Sequence, residues 1–233
     1  MKIMVAVPCR DRCDAYFTRS LVNLARVGEV HFELEIGTLV YNARNKLCGK
    51  AVAMDADYML WIDDDMVFDE TLLFDLLRDM RDGVDMVAPI CYMRKPPYAP
   101  VIYKRLERPT ETAPKVVQLY DEGYPEDGPF EVAACGFGCV LMRTSIIEPI
   151  LAKTGGLFDP EPQFGEDLTF CLRARDCGFH IWADPAVQLG HRGYYVSDRG
   201  VWEAYRRMLP NNTEAMKDAQ HRQAGDDDHD QRV

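Results

Sequence analysis

Tyr58-Met59-Leu60-Trp61-Ile62-Asp63-Asp64-Asp65 decides how the chain is read: five apolar or aromatic residues stop abruptly at three carboxylates. A short run rich in aromatic and β-branched residues, bounded by charge, predicts a buried strand. Three adjacent acids at a strand end repel one another unless positive charge lies close by. Hard carboxylate oxygens select Mg²⁺, Mn²⁺ or Ca²⁺ over softer metals. In an extended segment Asp63 and Asp65 point to the same side. Two plainer readings remain open here: a solvated loop, or acids favouring the start of a helix near Glu70. An EF-hand is excluded, because its glycine and terminal glutamate positions hold Phe68 and Phe74.

Outward from this stretch, the first half alternates strand and helix patterns. Lys2 to Val7 reads as a strand closed by Pro8. Tyr16, Leu21, Leu24 and Ala25 mark a helix face ending at Gly28. Glu29 to Ile36 alternates like a half-buried strand, and a helix runs from about Tyr41 to Met54 with Leu47, Ala51 and Met54 inward. After the Tyr58–Ile62 strand come a helix from about Glu70 to Arg81 and a strand from Asp85 to Pro89. This order predicts a doubly wound α/β sheet whose ligand crevice lies beyond the carboxyl ends of the strands.

Residues 91–128 are rich in proline and charge, with strand-like pieces at Val101–Lys104 and Lys115–Tyr120, and read as loops and a hairpin inserted over the sheet. Phe130 to Met142 is expected to be one strand, where Gly136 and Gly138 allow a close approach. Ser145 and Glu148 fit a capping box. Gly165-Glu166-Asp167 opens a helix to about Asp176, Gly178 ends it, and Phe179–Ala183 forms another strand. Residues 1–210 are expected to form one domain. Residues 211–233 form a terminal helix or tail whose end, including Asp226-Asp227-Asp228-His229-Asp230, is expected to be disordered.

Composition narrows the function classes. With 233 residues, 47% of them hydrophobic, the chain can bury one substantial core. A net charge of -11 argues against gripping a nucleic-acid backbone electrostatically, although Arg10, Arg12, Arg44 and Lys46 leave room for a local basic groove. The eight cysteines contain no Cys-x-x-Cys pair. Cys9/Cys13 and Cys135/Cys139 are spaced loosely enough for zinc, and reduced thiols packed as small apolar groups are the alternative. No signal-like segment and no apolar run of membrane-spanning length is present, so a cytoplasmic protein is expected.

Four features fall in order: Pro8-Cys9-Arg10, Tyr41-Asn42-Ala43-Arg44-Asn45, Asp63-Asp64-Asp65, and Gly165-Glu166-Asp167 with Gly190-His191. From Gly136 to His191 the chain also carries Gly-Phe-Gly-Cys-Val-Leu-Met-Arg, Phe-Gly-Glu-Asp-Leu-Thr-Phe-Cys-Leu-Arg-Ala, Ala-Asp-Pro and Gly-His. This series resembles the GT-A glycosyltransferases, particularly bacterial and phage-type members of family 2. The resemblance covers nearly everything from Lys2 to about Gly193. It implies a GT-A, Rossmann-like nucleotide-diphospho-sugar transferase fold, α/β with a mixed, mostly parallel central sheet.

It also implies the site. Asp65 would touch Mn²⁺ or Mg²⁺, Asp63 would lie between metal and ribose, and His191 would complete the metal shell. Asp167 matches the general base of inverting members, with Glu166 beside it, facing the acceptor or fixing a loop. Pro8, Arg10, Tyr41, Arg44, Asn45, Asp63 and Asp64 fall in the nucleotide-sugar segments. One departure stands out: Glu33-Leu34-Glu35-Ile36-Gly37-Thr38 lacks the acidic-Gly-Ser turn that grips uracil, so UDP rests on analogy alone. Tyr92, Tyr98, Tyr103, Trp182, Tyr194 and Tyr195 offer flat surfaces for a sugar or base, or pack in the core. The acceptor is left open between a saccharide, a small molecule, a protein and a modified phage DNA base. The rival readings are a nucleotidyltransferase, which lacks its expected glycine-rich first loop here, and a non-catalytic nucleotide- or carbohydrate-binding protein.

Overall fold

The computed structural model describes residues 1–27, 30–81, 83–193 and 196–208. The expected helix end at Gly28, the Tyr194 and Tyr195 surfaces, and the 211–233 tail lie outside them. In chain order the elements are β1 (Ile3–Cys9), α1 (Ala15–Val27), β2 (His31–Ile36), α2 (Val40–Ala53), β3 (Tyr58–Ile62), β4 (Met66–Val67), α3 (Leu72–Asp79) and β5 (Met86–Ile90). The inserted region supplies β6 (Ile102–Glu107), β7 (Val116–Leu119), β8 (Phe130–Glu131) and β9 (Ala134–Cys135). Then follow β10 (Cys139–Arg143), a 3-10 turn (Thr144–Ile146), α4 (Ile147–Thr154), α5 (Glu166–Asp176), β11 (Ile181–Gln188), β12 (Gly190–Arg192), β13 (Val196–Ser197) and α6 (Arg199–Met208).

Seven strands form the central sheet in the order β2-β1-β3-β10-β5-β11-β8. Successive side chains of a strand face opposite sides, so β1 feeds both layers. Met4 and Ala6 join Met59, Trp61, Val140 and Phe170 on the face covered by α2, α4 and α5. Ile3, Val5 and Val7 join Leu60, Ile62 and Leu141 on the face covered by α1 and α3. Burying each large aliphatic or aromatic side chain in these layers contributes about 1.5–3 kcal/mol. A strand covered on both faces needs an apolar run rather than an alternating one, which is why Tyr58–Ile62 is so legible.

The sheet departs from the expected mostly parallel pairing. β1 pairs in parallel with β2 and β3, as does β11 with β5. However, β10 runs antiparallel to both β3 and β5, and β8 antiparallel to β11. The sheet is therefore mixed. The insertion returns to the sheet at the carboxyl end of β5, so the next strand can only run back down.

Other expectations are corrected locally. Phe130–Met142 is three strands, because the Gly136–Gly138 corner carries the chain from the small sheet β7-β6-β9 into the central one. A Cβ at Gly136 would meet Val101 Cγ1 at 2.8 Å. In α1 the buried stripe is Phe17, Ser20 and Leu24, with Tyr16 and Ala25 exposed. No side-chain cap forms at Ser145, which lies inside the 3-10 turn that already starts at Thr144. Pro8 lies within β1 rather than after it. Beyond Ala6 this strand pairs only with β2, so the missing N–H costs nothing on the β3 side. No helix among the described residues is long and apolar enough to cross a membrane.

Candidate functional site

The three acids sit where β3 ends, and each backbone is tied to a different segment. Asp63 N–H donates to Gly138 O at 3.0 Å, Asp64 O accepts from Asp14 N–H at 3.1 Å, and Asp65 O accepts from Arg192 N–H at 2.9 Å. The last bond belongs to a small sheet, β13-β12-β4, in which His191 pairs with Met66. That ladder brings a histidine beside an aspartate more than a hundred residues earlier. Gly190 makes it possible, since a Cβ there would lie 2.3 Å from Val196 Cγ1.

His191 Nδ1 lies 2.8 Å from Tyr92 O. A carbonyl only accepts, so Nδ1 carries the hydrogen and Nε2 faces Asp65 Oδ1 at 3.4 Å. In the neutral ring these are two lone-pair atoms pointing at one another, an arrangement that calls for a proton or a metal ion between them. Asp65 Oδ2 also receives Arg94 Nη1 at 2.8 Å. Burial works against charge on Asp65, but His191 and Arg94 outweigh it and hold the carboxyl below its ordinary range.

Asp63 lives in a different balance. Burial pushes its carboxyl up to about 6, opposed by Arg44 and reinforced by the Asp65 charge. Arg44, on α2, is only 3% exposed, and its Nη2 reaches Asp63 Oδ1 at 3.0 Å while Nε lies 3.6 Å from Glu166 Oε1. Its guanidinium carbon sits 5.3 to 5.7 Å from the ring centroids of Phe137, Trp61 and Phe158. This is cation–π distance. Arg44 is thus no part of an open basic groove: it is a buried cation beneath the acids. Nε has no hydrogen-bond partner, which leaves a donor aimed at Glu166.

Glu166 and Asp167 form the first turn of α5, after Gly165. Burial first, then the Glu166 charge, raises the Asp167 carboxyl to about 7, against the pull of Arg44. Its Oδ1 accepts from Leu168 N–H at 2.7 Å. A carboxyl poised near neutrality can accept a proton from a hydroxyl and release it again.

The remaining predicted residues divide. Asn45 Oδ1 accepts from Phe158 N–H at 3.0 Å, so it fastens α2 to the loop before α5. Tyr41 is half-buried against the same aromatic layer. Arg10 is exposed in the loop after β1, its carbonyl accepting from Gly37 N–H. Lys46 pairs with Glu35 at 2.7 Å. Tyr92 and Tyr98 are buried against Trp202 and Tyr205 and are no open platform. Asp64 is partnered differently: burial raises its carboxyl, the Cys9 thiol that donates to it opposes this, and the Asp65 charge adds to the rise. Cys9 Sγ lies 3.7 Å from Cys13 Sγ. Burial and Asp64 push the Cys9 thiol up to about 12. The other spaced pair follows the packed-thiol alternative, for Cys135 and Cys139 lie in the cores on opposite faces of the sheet.

Arg94 was not foreseen as a site residue. The only local signal was a basic pair, Arg94-Lys95, ahead of two prolines. The Tyr92 carbonyl has no sequence signal at all.

No protein-family model and no curated protein matches the chain. Among solved structures, A197 from STIV superposes with a TM-score of 0.59 at 17% identity, covering 83% of this chain and 86% of that one. The two share a fold. A glycosyltransferase involved in the glycosylation of the major capsid of PBCV-1 gives a TM-score of 0.38 at 9% identity, covering 72% and 74% of the two chains. That likeness is too loose to carry an argument.

Proposed function

We infer that the chain is a metal-dependent glycosyltransferase of GT-A type. It would move a sugar from a nucleotide-diphosphate sugar, a UDP-sugar by analogy, to an acceptor hydroxyl with inversion. The observation that carries this is the facing pair Asp65 Oδ1 and His191 Nε2, with Nδ1 held by Tyr92 O; Asp63 and Arg44 link it to Asp167, a buried acid whose carboxyl is raised to about 7. The order of motifs along the chain supports it independently.

An oxygen and an imidazole nitrogen with lone pairs turned inward fit Mn²⁺ or Mg²⁺ that completes its shell with phosphate and water. Asp65 and His191 would hold the ion, and Asp63, tied to Arg44, would lie towards metal and ribose. Bound there, the cation would supply Lewis-acid stabilisation of the diphosphate charge. Arg94, exposed and already beside Asp65, offers a planar fork of donors to the same phosphates. Arg44 keeps Asp63 and Glu166 in place from below. Asp167 takes the proton from the acceptor oxygen as that oxygen bonds to the anomeric carbon and the bond from that carbon to the diphosphate breaks, the nucleoside diphosphate leaving with the electron pair; Glu166 keeps the Asp167 carboxyl basic enough to do so.

The test is a donor screen: purified protein with Mn²⁺ is incubated with a panel of nucleotide sugars, and slow hydrolysis and binding are measured. At least one donor is expected to bind and hydrolyse, and Asp167→Asn is expected to keep binding while losing turnover. If no donor is bound or hydrolysed, the transferase reading fails. Turnover unchanged in Asp167→Asn would remove it as the base.

A further inference from the structure

Asp64 feels the charge of Asp65, but its side-chain partner is the Cys9 thiol, not a cation. It sits with two thiols, Cys9 at the end of β1 and Cys13 in the turn before α1. Among the described residues, Cys9, Cys13 and Asp64 bring one ligand atom each within 4.8 Å of one another. They come from two chain segments locked together by the bond from Asp14 N–H to Asp64 O. Two sulfurs bound to one tetrahedral ion at about 2.3 Å lie about 3.8 Å apart. The observed separation is 3.7 Å.

We propose that Cys9, Cys13 and Asp64 form a binding site for a thiophilic divalent cation of the Zn²⁺ class, separate from the Asp65–His191 pair and independent of the transferase reading. The donor set is two sulfurs and one oxygen, with a fourth position left for water, as in open zinc sites. It is a soft set beside a hard one, so the two would sort metals by chemistry rather than by position. Binding removes both thiol protons: the ion replaces two S–H bonds with two metal–sulfur bonds and releases two protons to solvent. Cys9 is buried and Cys13 half-buried, so the ion would enter from the Cys13 side. Once bound, it would clamp the 10–14 turn, which carries Arg10, to the end of β3.

Titrating the reduced, metal-free full chain with Cd²⁺ while following thiolate-to-metal charge-transfer absorption tests this. One Cd²⁺ per chain is expected, competed by Zn²⁺ and not by Mg²⁺. Cys13→Ser should abolish the band. Asp64→Asn should weaken binding by no less than the roughly 10–100-fold that outer-shell partners command. Asp65→Ala should leave the band intact, which separates this site from its neighbour. Absence of a band in the parent chain, or a band that survives Cys13→Ser at full affinity, would overturn the proposal. The thiols would then be merely hydrogen-bonded to each other and to Asp64.

Discussion

Asp63 and Asp64 are joined by one peptide bond and live in unlike surroundings. Asp63 faces Arg44, with Asp65, His191 and Glu166 around it. Asp64 faces two thiols and no cation shares its carboxylate in the described residues. The difference follows from a turn and not from the extended segment the sequence suggests: β3 ends at Ile62, Asp64 and Asp65 lie in a turn, and Met66 N–H closes back on Asp63 O at 3.2 Å. It teaches that a run of identical charges at a strand end is two half-sites, one built for charge and one for polarisable sulfur.

The largest contrast should appear on removing the buried cation. Arg44→Met leaves Asp63 and Glu166 without their partner beneath, and unfolding by denaturant should show a loss of about 3–5 kcal/mol. Asp64→Asn on the thiol side keeps an acceptor for the Cys9 thiol and should change stability by about 1 kcal/mol or less. Equal losses in the two variants would erase the distinction. Next in size is the small sheet that delivers His191. Gly190→Ala drives a Cβ into Val196 Cγ1 and should cost about 1–3 kcal/mol, with Val196→Ala in the same chain restoring most of it. No rescue would mean that the close approach is not what positions β12.

A pH effect should follow from the charged side. Asp63 and Asp167 hold their protons up to about 6 and about 7 when folded. In the unfolded chain carboxyls release them at about 4. Between those values the folded state binds more protons, so the stability these groups contribute is full at low pH and is lost as pH rises through 6 and 7. Melting of the metal-free chain at pH 5 and pH 8 should show this fall. The Asp79→Asn background is the cleaner one, because Asp79 beside Asp184 is itself raised to about 6. Added Mn²⁺ should flatten the slope by favouring ionised carboxylates. The smallest effect is a shift in turnover. Removing the Glu166 charge in Glu166→Gln should lower the Asp167 carboxyl and move the rising limb of the pH–rate profile to lower pH. An upward shift would contradict the assigned coupling.

Much of this arrangement was legible in the residues, and the parts that were not share a cause. The Tyr58–Ile62 strand, the start of α5 at Glu166 and its end before Gly178 are written in local pattern and backbone preference. The nearness of Asp63 and Asp65 is not a matter of a period of two, because the chain turns at Asp64 and Asp65 instead of running on as a strand. The reversed β10 was not legible, because direction depends on where a long insertion re-enters the sheet. Nor was the burial of Arg44: only the folded aromatic layer of Trp61, Phe137 and Phe158 turns a helical arginine into a core cation. Arg94 and the Tyr92 carbonyl reach the site through tertiary packing alone.

On the proposed function, the charged side of the triplet, and not the thiol side, holds a divalent cation against a nucleotide diphosphate. Calorimetric titration of UDP into the chain with and without Mn²⁺ tests it most directly, repeated for Asp65→Ala and Asp64→Asn. Mn²⁺-dependent binding is expected in the parent chain and in Asp64→Asn, and loss of that dependence in Asp65→Ala. Affinity that is the same with and without Mn²⁺ in the parent chain, or dependence that survives Asp65→Ala, would contradict it.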